Sequence, residues 1–371
     1  MLENITSPTL LVDQSKVNRN VQRMADRALR HNLTLRPHFK THQSGEVGEW
    51  VRSFGVNSIT VTSLRMAREF AQCGWEDITI AMPLNPRELP GIGELAQQVY
   101  LSVFLVDPET AGKLSKEIAK QIGYFIELDA GYGRSGVKIE NLNLIAAIIE
   151  AAGNHHCRGF YVHSGHTYEA GDKQEIDQIH EGLMRKIANL KSGLSRLAGT
   201  HPSGPVRTRL AQTFEFAIGD TPACSTQESF NHITSIGPGN FVYYDLVQAG
   251  LGACSTDDIA VCLAAPVVQV LPHKNQAIVH AGWVQLGKDR LPDGTHGRVV
   301  KLKEDGSWSA SLADCVVLKL SQEHGTLQLT TEVLQELSPG DLLGILPVHA
   351  CATVHGMRAT GEQLIIAAPG D

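Results

Sequence analysis

A chain of 371 residues, 42% hydrophobic and 19% charged, can bury a large core, and its net charge of −7 gives no electrostatic reason to bind nucleic acid or an anionic membrane. The N-terminus, Met-Leu-Glu-Asn-Ile-Thr, lacks a basic stretch followed by an apolar one, and no apolar run is long enough to cross a bilayer. Seven cysteines, odd in number and without a C-x-x-C pair, indicate free thiols in a reducing compartment, so the cytoplasm is the expected location.

Residues 8–13 read as a short strand, and 15–31 show helical spacing through Val17, Val21, Met24 and Leu29 with Ser15 as N-cap. A rhythm then sets in. Strands are predicted at 34–39, 58–62, 78–82, 99–105, 124–128, 159–163, 214–218 and 232–236, most gaps being near 20 residues and helical in pattern. Such gaps include 63–73, 108–118 and 141–152; the gap at 171–198 predicts a longer helix, and 199–212 an excursion. Eight apolar strands alternating with helices predict an α/β fold, a parallel (β/α)8 TIM barrel. From about residue 246 the segments 267–271, 277–284, 298–302, 316–320, 327–330 and 342–347 are strand-like, punctuated by Gly, Pro, Asp and Asn. Helical periodicity is nearly absent there, which predicts a mainly antiparallel β domain. The expected organisation is an N-terminal strand at 1–14 joining the β domain, a barrel at 15–245 and the β domain at 246–371.

In such barrels the chemistry sits at the C-terminal ends of the strands. The first strand ends in His38-Phe39-Lys40-Thr41-His42, and an extended chain would point His38, Lys40 and His42 to one face. A lone lysine is usually a solvated charge; among cationic or desolvating neighbours it becomes an amine nucleophile. The fifth strand leads into Asp129–Val137, the sixth into His163-Ser164-Gly165-His166-Thr167-Tyr168, the seventh into Gly219-Asp220-Thr221-Pro222, and the eighth into Gly237-Pro238-Gly239-Asn240. Either of the last two loops alone is most simply a turn. Both at the strands that commonly hold phosphate point to an anion nest of Gly219, Thr221, Gly239 and Asn240. A phosphate cradle facing an amine lysine calls for a phosphorylated aldehyde, and pyridoxal 5'-phosphate answers the description. In that reading Arg134 takes the phenolate oxygen, His163 lies against the ring, and His166 and Tyr168 face the substrate.

A second cluster lies late, at Pro347-Val348-His349-Ala350-Cys351. On a strand His349 and Cys351 would share a face, and imidazole with thiolate suits zinc. An isolated H-x-C is a weak signal, since both residue types are often simply buried. A catalytic zinc usually takes three protein ligands; two are visible here, with His324 and His355 as spare candidates.

Taken together, 36–42, 129–137, 163–168, 237–240, Glu323-His324-Gly325 and His349-Ala350-Cys351 resemble, in order, the fold-type III pyridoxal-phosphate enzymes of the D-serine dehydratase and D-threonine aldolase group, relatives of alanine racemase. The resemblance runs from about residue 6 to 360. It implies an alanine racemase-like barrel plus a β domain, a homodimer, Lys40 as the Schiff-base lysine, and a divalent metal, expected to be Zn2+, on His349 and Cys351. Members with His-x-Cys resemble the zinc-using dehydratases, whereas the aldolases tend to carry Asp at the second position. Two departures from the family pattern bear on substrate identity: His280-Ala281-Gly282-Trp283 stands for an Asp-Gly type segment, and Ala352-Thr353-Val354-His355 for Pro-Thr-Val-Asn.

The expected activity is therefore dehydration and deamination of a D-3-hydroxy amino acid to a 2-oxo acid and ammonia, with Lys40 as base and the metal on the β-hydroxyl. The rivals are retro-aldol cleavage to glycine and an aldehyde, racemisation with Tyr168 as a second base, and a cofactor carrier without chemistry. The metal pair and the second domain argue against the carrier.

Overall fold

The computed structural model describes residues 2–360 and 362–366. The chain divides into two compact units, one of Met24–Lys40 and Ser44–Gly239, the other of Met1–Arg23, Thr41–Gln43 and Asn240–Asp371.

The first unit is a ring of eight parallel strands. Thr34–Leu35, Ser58–Val61, Asp77–Pro83, Tyr100–Leu105, Gly123–Asp129, His156–Val162, Glu215–Ile218 and Ser235–Ile236 follow in chain order. From Ser58–Val61 onward each pairs with the next, and Ser235–Ile236 pairs back onto Thr34–Leu35. A parallel bridge between His38 and Thr60 closes the remaining seam. These strands are covered on both faces, which is why SITV, ITIAM and YFIEL read as continuous apolar runs without alternation. Side-chain caps start the helices between them: Ser63 accepts from the Met66 N–H at 3.3 Å, Asp107 from Thr110 at 2.7 Å and Asp172 from Glu175 at 2.9 Å. The longest helix, Lys173–Thr200, buries Ile176, His180, Leu183, Ile187, Leu190 and Leu194 at three- and four-residue spacing.

Phe104, Phe125, Tyr161 and Ala217 form a packed layer inside the ring, the Phe104 and Tyr161 rings lying 4.6 Å apart. At the N-terminal ends of the strands the interior is polar. Arg36 grips Asp77 with two bonds of 2.9 and 3.2 Å, and Arg158 joins Asp77 at 3.0 Å to Glu215 at 3.3 Å. Two guanidinium groups facing two carboxylates leave no net charge, and such a paired network ties four strands to one register. The candidate site residues of this unit stand at the opposite ends of the same strands.

The second unit is an antiparallel ring of Gln276–His280, His324–Gln328, Val316–Leu320, Gly297–Val300, Leu342–Pro347 and Val261–Leu271, closed by pairing of the first with the last. Thr9–Asp13 adds to Val261–Leu271 antiparallel and takes Glu362–Ile366 as a parallel neighbour. Three helices that the sequence pattern does not announce sit among these strands: Trp283–Leu286, Thr331–Gln335 and Ala350–Thr360. Among the described residues no helix is long and apolar enough to cross a membrane, and all seven cysteines are free.

Candidate active site

The lysine loop departs from the extended form the sequence suggests. Strand pairing ends with the His38 bridge, and residues 39–42 turn. Phe39 explains the turn: its ring is buried edge-on between Phe70 at 4.9 Å and Trp75 at 5.0 Å, so this side chain, not Lys40, is drawn inward. His38 is buried beside the bridge and its Nδ1 accepts the Lys40 backbone N–H at 3.3 Å, while His42 is also buried. Lys40 is exposed. The expectation of three side chains on one extended face therefore fails, because Pro37 and the Phe39 anchor break the two-residue alternation. What results is an exposed amine on a rigid turn.

The fifth and sixth strand ends build one cluster in the same unit. Glu127, one alternation above Phe125 on the strand Gly123–Asp129, is buried; burial pushes its carboxyl above the ordinary value, against a 2.9 Å bond from Ser135 Oγ and the Arg134 guanidinium at 3.9 Å. Arg134 itself is about half exposed and lies over the Tyr132 ring. His163 stands 6.0 Å from the Tyr132 ring and 6.1 Å from Tyr168. Burial, then the positive charges of Arg134 and Lys40, push its imidazole down to about 3, so it is a neutral aromatic face at physiological pH. His166 stacks on Tyr132 at 6.1 Å.

Tyr168 Oη accepts the Thr221 backbone N–H at 3.0 Å, which ties the sixth loop to the seventh. Asp220 caps the helix Thr221–Thr226 and takes a 3.0 Å bond from Thr167 Oγ1. Thr221 Oγ1 and Ser164 Oγ are buried with no hydrogen-bond partner among the described residues. Buried hydroxyls without partners are costly. Donors of this kind, beside a neutral ring, a guanidinium and an exposed lysine, fit a phosphorylated, aromatic aldehyde. Gly219 has a packing reason as well: a Cβ there would collide with the Tyr161 hydroxyl. Gly239 is the last residue of this unit.

Glu127 offers a test that needs no substrate. A carboxyl whose folded pKa lies above its unfolded value of about 4.3 costs stability as pH rises through that window, since the folded state then holds the extra proton. The substitution Glu127→Gln removes this cost. The melting temperature of the variant relative to wild type is expected to be higher at pH 8 than at pH 5; an equal offset at both pH values counts against the assignment.

The late pair belongs to the other unit. The strand Leu342–Pro347 ends before it, and Cys351 lies in the first turn of the helix Ala350–Thr360, so the two residues do not share a strand face. They meet nonetheless: Cys351 hydrogen-bonds the His349 imidazole, and His349 Nδ1 faces Asp289 Oδ2 at 2.9 Å. Asp289, then Cys351, hold the imidazole up at about 10, and His349 in turn holds the Asp289 carboxyl below its usual range. Thr41 Oγ1 lies 3.2 Å from Cys351 Sγ, and Asn240 Nδ2 lies 3.8 Å from it. Asp245, fully buried, accepts the Ala350 N–H at 2.9 Å and Asn240 Nδ2 at 2.6 Å, and so sets where the helix begins and where Cys351 points. Asn240 is thus placed beside the thiol in this unit. His324 is exposed on a strand position opposite His280.

Imidazole, thiol and an orienting carboxylate are a donor set that fits a divalent metal, with the ring's Nδ1 engaged by Asp289. No group of three or more His, Cys, Asp or Glu side chains is clustered as a metal site among the described residues. Asp289, Asp245 and Glu127 were not legible as site residues. Asp289 is far from the pair in sequence, and only Glu127 carries a signal, an acid inside an otherwise apolar strand.

Two family patterns match this arrangement of barrel and β unit: "Alanine racemase, N-terminal domain" over residues 12–208 and "Putative serine dehydratase domain" over 260–360. The chain belongs to the alanine racemase N-terminal domain family and, within it, to the fold-type III pyridoxal-phosphate enzymes of the D-serine dehydratase group. It is similar to D-threo-3-hydroxyaspartate dehydratase of Delftia sp. (strain HT23), 28% identical over 368 residues, 95% of this chain and 92% of that protein. The solved structure of that enzyme matches with a TM-score of 0.88 at 27% identity, covering 100% of this chain and 97% of the other. D-serine dehydratase of Dictyostelium discoideum is 27% identical over 381 residues, 95% of this chain and 92% of that protein. D-threonine aldolase of Arthrobacter sp. matches at 29% over 150 residues, 39% of this chain and 40% of that protein. Two solved variants of D-threo-3-hydroxyaspartate dehydratase, each 26% identical to this chain, replace a histidine and, two positions later, a cysteine by alanine, the latter in a metal-free form.

Proposed function

We propose that this chain is a pyridoxal-phosphate- and metal-dependent lyase that dehydrates and deaminates a D-3-hydroxy amino acid to a 2-oxo acid and ammonia. The observation that carries the reading is the assembled pair: His349 held by Asp289 at 2.9 Å, and Cys351 touched at 3.2 Å by the hydroxyl of Thr41, the residue that follows Lys40 in the chain. A racemase has no use for a soft-metal pair of this kind, whereas expulsion of a hydroxyl does.

Lys40 supplies the amine for the cofactor's aldehyde and the base for the α-proton, which its Nζ takes up. Gly219, Thr221 and Gly239 hold the phosphate, Arg134 the phenolate oxygen, and the neutral face of His163 the ring. Tyr168 orients Thr221 through its hydroxyl. His349 and Cys351 hold the metal, and Asn240 with Asp245 fixes the thiol's position. Pyridoxal phosphate, when bound, supplies an electron sink for charge at Cα, and the metal supplies a Lewis acid for the β-hydroxyl. Thiolate with imidazole selects zinc over magnesium. We take the working species to be a homodimer, on the resemblance to the family, in the cytoplasm, where seven free thiols stay reduced.

The test is a product assay on purified holoenzyme with D-serine, D-threonine and D-threo-3-hydroxyaspartate. Formation of 2-oxo acid and ammonia in equal amounts is expected. Glycine plus aldehyde as the main products identifies an aldolase instead, and loss of optical rotation without net product identifies a racemase.

A further inference from the structure

His355 lies one helical turn beyond Cys351 on the helix Ala350–Thr360, and its surroundings give it a use. The helix Ala350–Thr360 has a fixed rotation. Thr353, Val354 and Met357 are buried, and Gly356 packs so closely on the Val284 backbone that a Cβ there would collide with it. The remaining face carries Cys351, His355 and Arg358, at positions i, i+4 and i+7. Gln43, two residues after the Thr41 that touches Cys351, reaches the same face. Its Oε1 accepts from Arg358 Nη1 at 3.1 Å and its Nε2 lies 3.5 Å from His355 Nδ1. Gln43 does this from a left-handed backbone conformation, φ 49°, which a non-glycine residue adopts at a cost and which is concentrated at functional positions.

From this cluster we infer that Gln43, His355 and Arg358 form a subsite for a second carboxylate on the β-carbon of the substrate, so that the preferred substrate is a dicarboxylic 3-hydroxy amino acid rather than serine. The inference rests on the dehydratase reading and deepens it. If His349 and Cys351 hold the metal that takes the β-hydroxyl, any other group on that carbon lies beside Cys351. His355 follows one helical turn on, about 5–6 Å away. Long side chains on a helix lean toward its N-terminus, so Arg358 leans back over the same turn. Guanidinium, amide and imidazole together offer the planar donors a carboxylate takes. D-serine carries only hydrogen at this position and gains nothing from the cluster; the two compounds named in the relatives above differ by this one group.

The experiment measures kcat/KM of the holoenzyme for D-threo-3-hydroxyaspartate and for D-serine in wild type, Arg358→Gln, Arg358→Lys and the double variant His355→Asn/Arg358→Gln. Wild type is expected to favour the diacid. Arg358→Gln is expected to lower the diacid-to-serine ratio by about tenfold or more, chiefly through KM for the diacid, the double variant further, and Arg358→Lys less than Arg358→Gln. Arg358 and His355 are exposed, and a thermal melt confirms that the variants fold. A wild type that favours D-serine, or a ratio unchanged in Arg358→Gln and in the double variant, overturns the subsite while leaving the dehydratase reading intact. Conversion of neither substrate to a 2-oxo acid overturns both.

Discussion

Replacing Lys40 with alanine is expected to abolish the visible absorbance of bound cofactor and to lower turnover by at least about a thousandfold. The structure makes this residue hard to substitute. Phe39 is pinned by Phe70 and Trp75, and the Lys40 N–H is taken by His38 Nδ1, so the backbone delivers one amine to one place. Lys186, whose ammonium contacts the Ala130 carbonyl, is engaged in the loop after the fifth strand and cannot stand in for it. A second readout is independent of turnover: borohydride reduction of the wild-type holoenzyme followed by peptide mass spectrometry should put the reduced cofactor on the peptide containing Lys40. Activity surviving in Lys40→Ala, or label on another lysine, would end the assignment. The variant should fold, since Lys40 is exposed and contributes little to the core.

Replacing Cys351 with alanine is expected to empty the protein of metal and to reduce 2-oxo acid formation by about a hundredfold or more, because an unassisted hydroxyl is a poor leaving group. His349→Ala should behave alike. Asp289→Asn tests a different point. The carboxylate is hydrogen-bonded to His349 at 2.9 Å, so its loss should weaken metal binding by about 10–100-fold without removing a ligand, and activity should return at high metal concentration. Cys351→Asp replaces a soft donor by a hard one and should shift preference from zinc toward magnesium or manganese. Chelator titration and elemental analysis read all four variants. Full metal content in Cys351→Ala would show that the pair is structural.

The fold shows where sequence reading is strong. All eight barrel strands and their order were legible, because a strand covered on both faces must be apolar throughout and each is separated by a capped helix. The candidate residues of the proposed site were legible to the level of loops: Lys40, the loop after residue 129, the histidines near 163, and the His349–Cys351 pair. Local geometry within those loops was not. The extended reading of 36–42 failed because an aromatic side chain competed with the lysine for the interior, and a seven-letter pattern carries no record of Phe70 and Trp75. The strand reading of 349–351 failed because Asp245 receives the Ala350 N–H and starts a helix from another part of the chain.

By itself, then, the sequence determined the ring of parallel strands, the antiparallel unit and the family, and it named a candidate amine and a candidate donor pair. These follow from residue type and spacing, which short-range sterics and apolar periodicity translate directly. Only the tertiary structure decided which carboxylates act on them. Glu127 reaches Arg134 and Ser135, Asp289 orients His349, Asp245 fixes Cys351, and Gln43 joins His355 and Arg358. Each of these contacts depends on side chains brought together by packing: a hydrogen bond needs its partners within about 3.5 Å and screened charges fade over about 10 Å, so sequence separation says nothing about them.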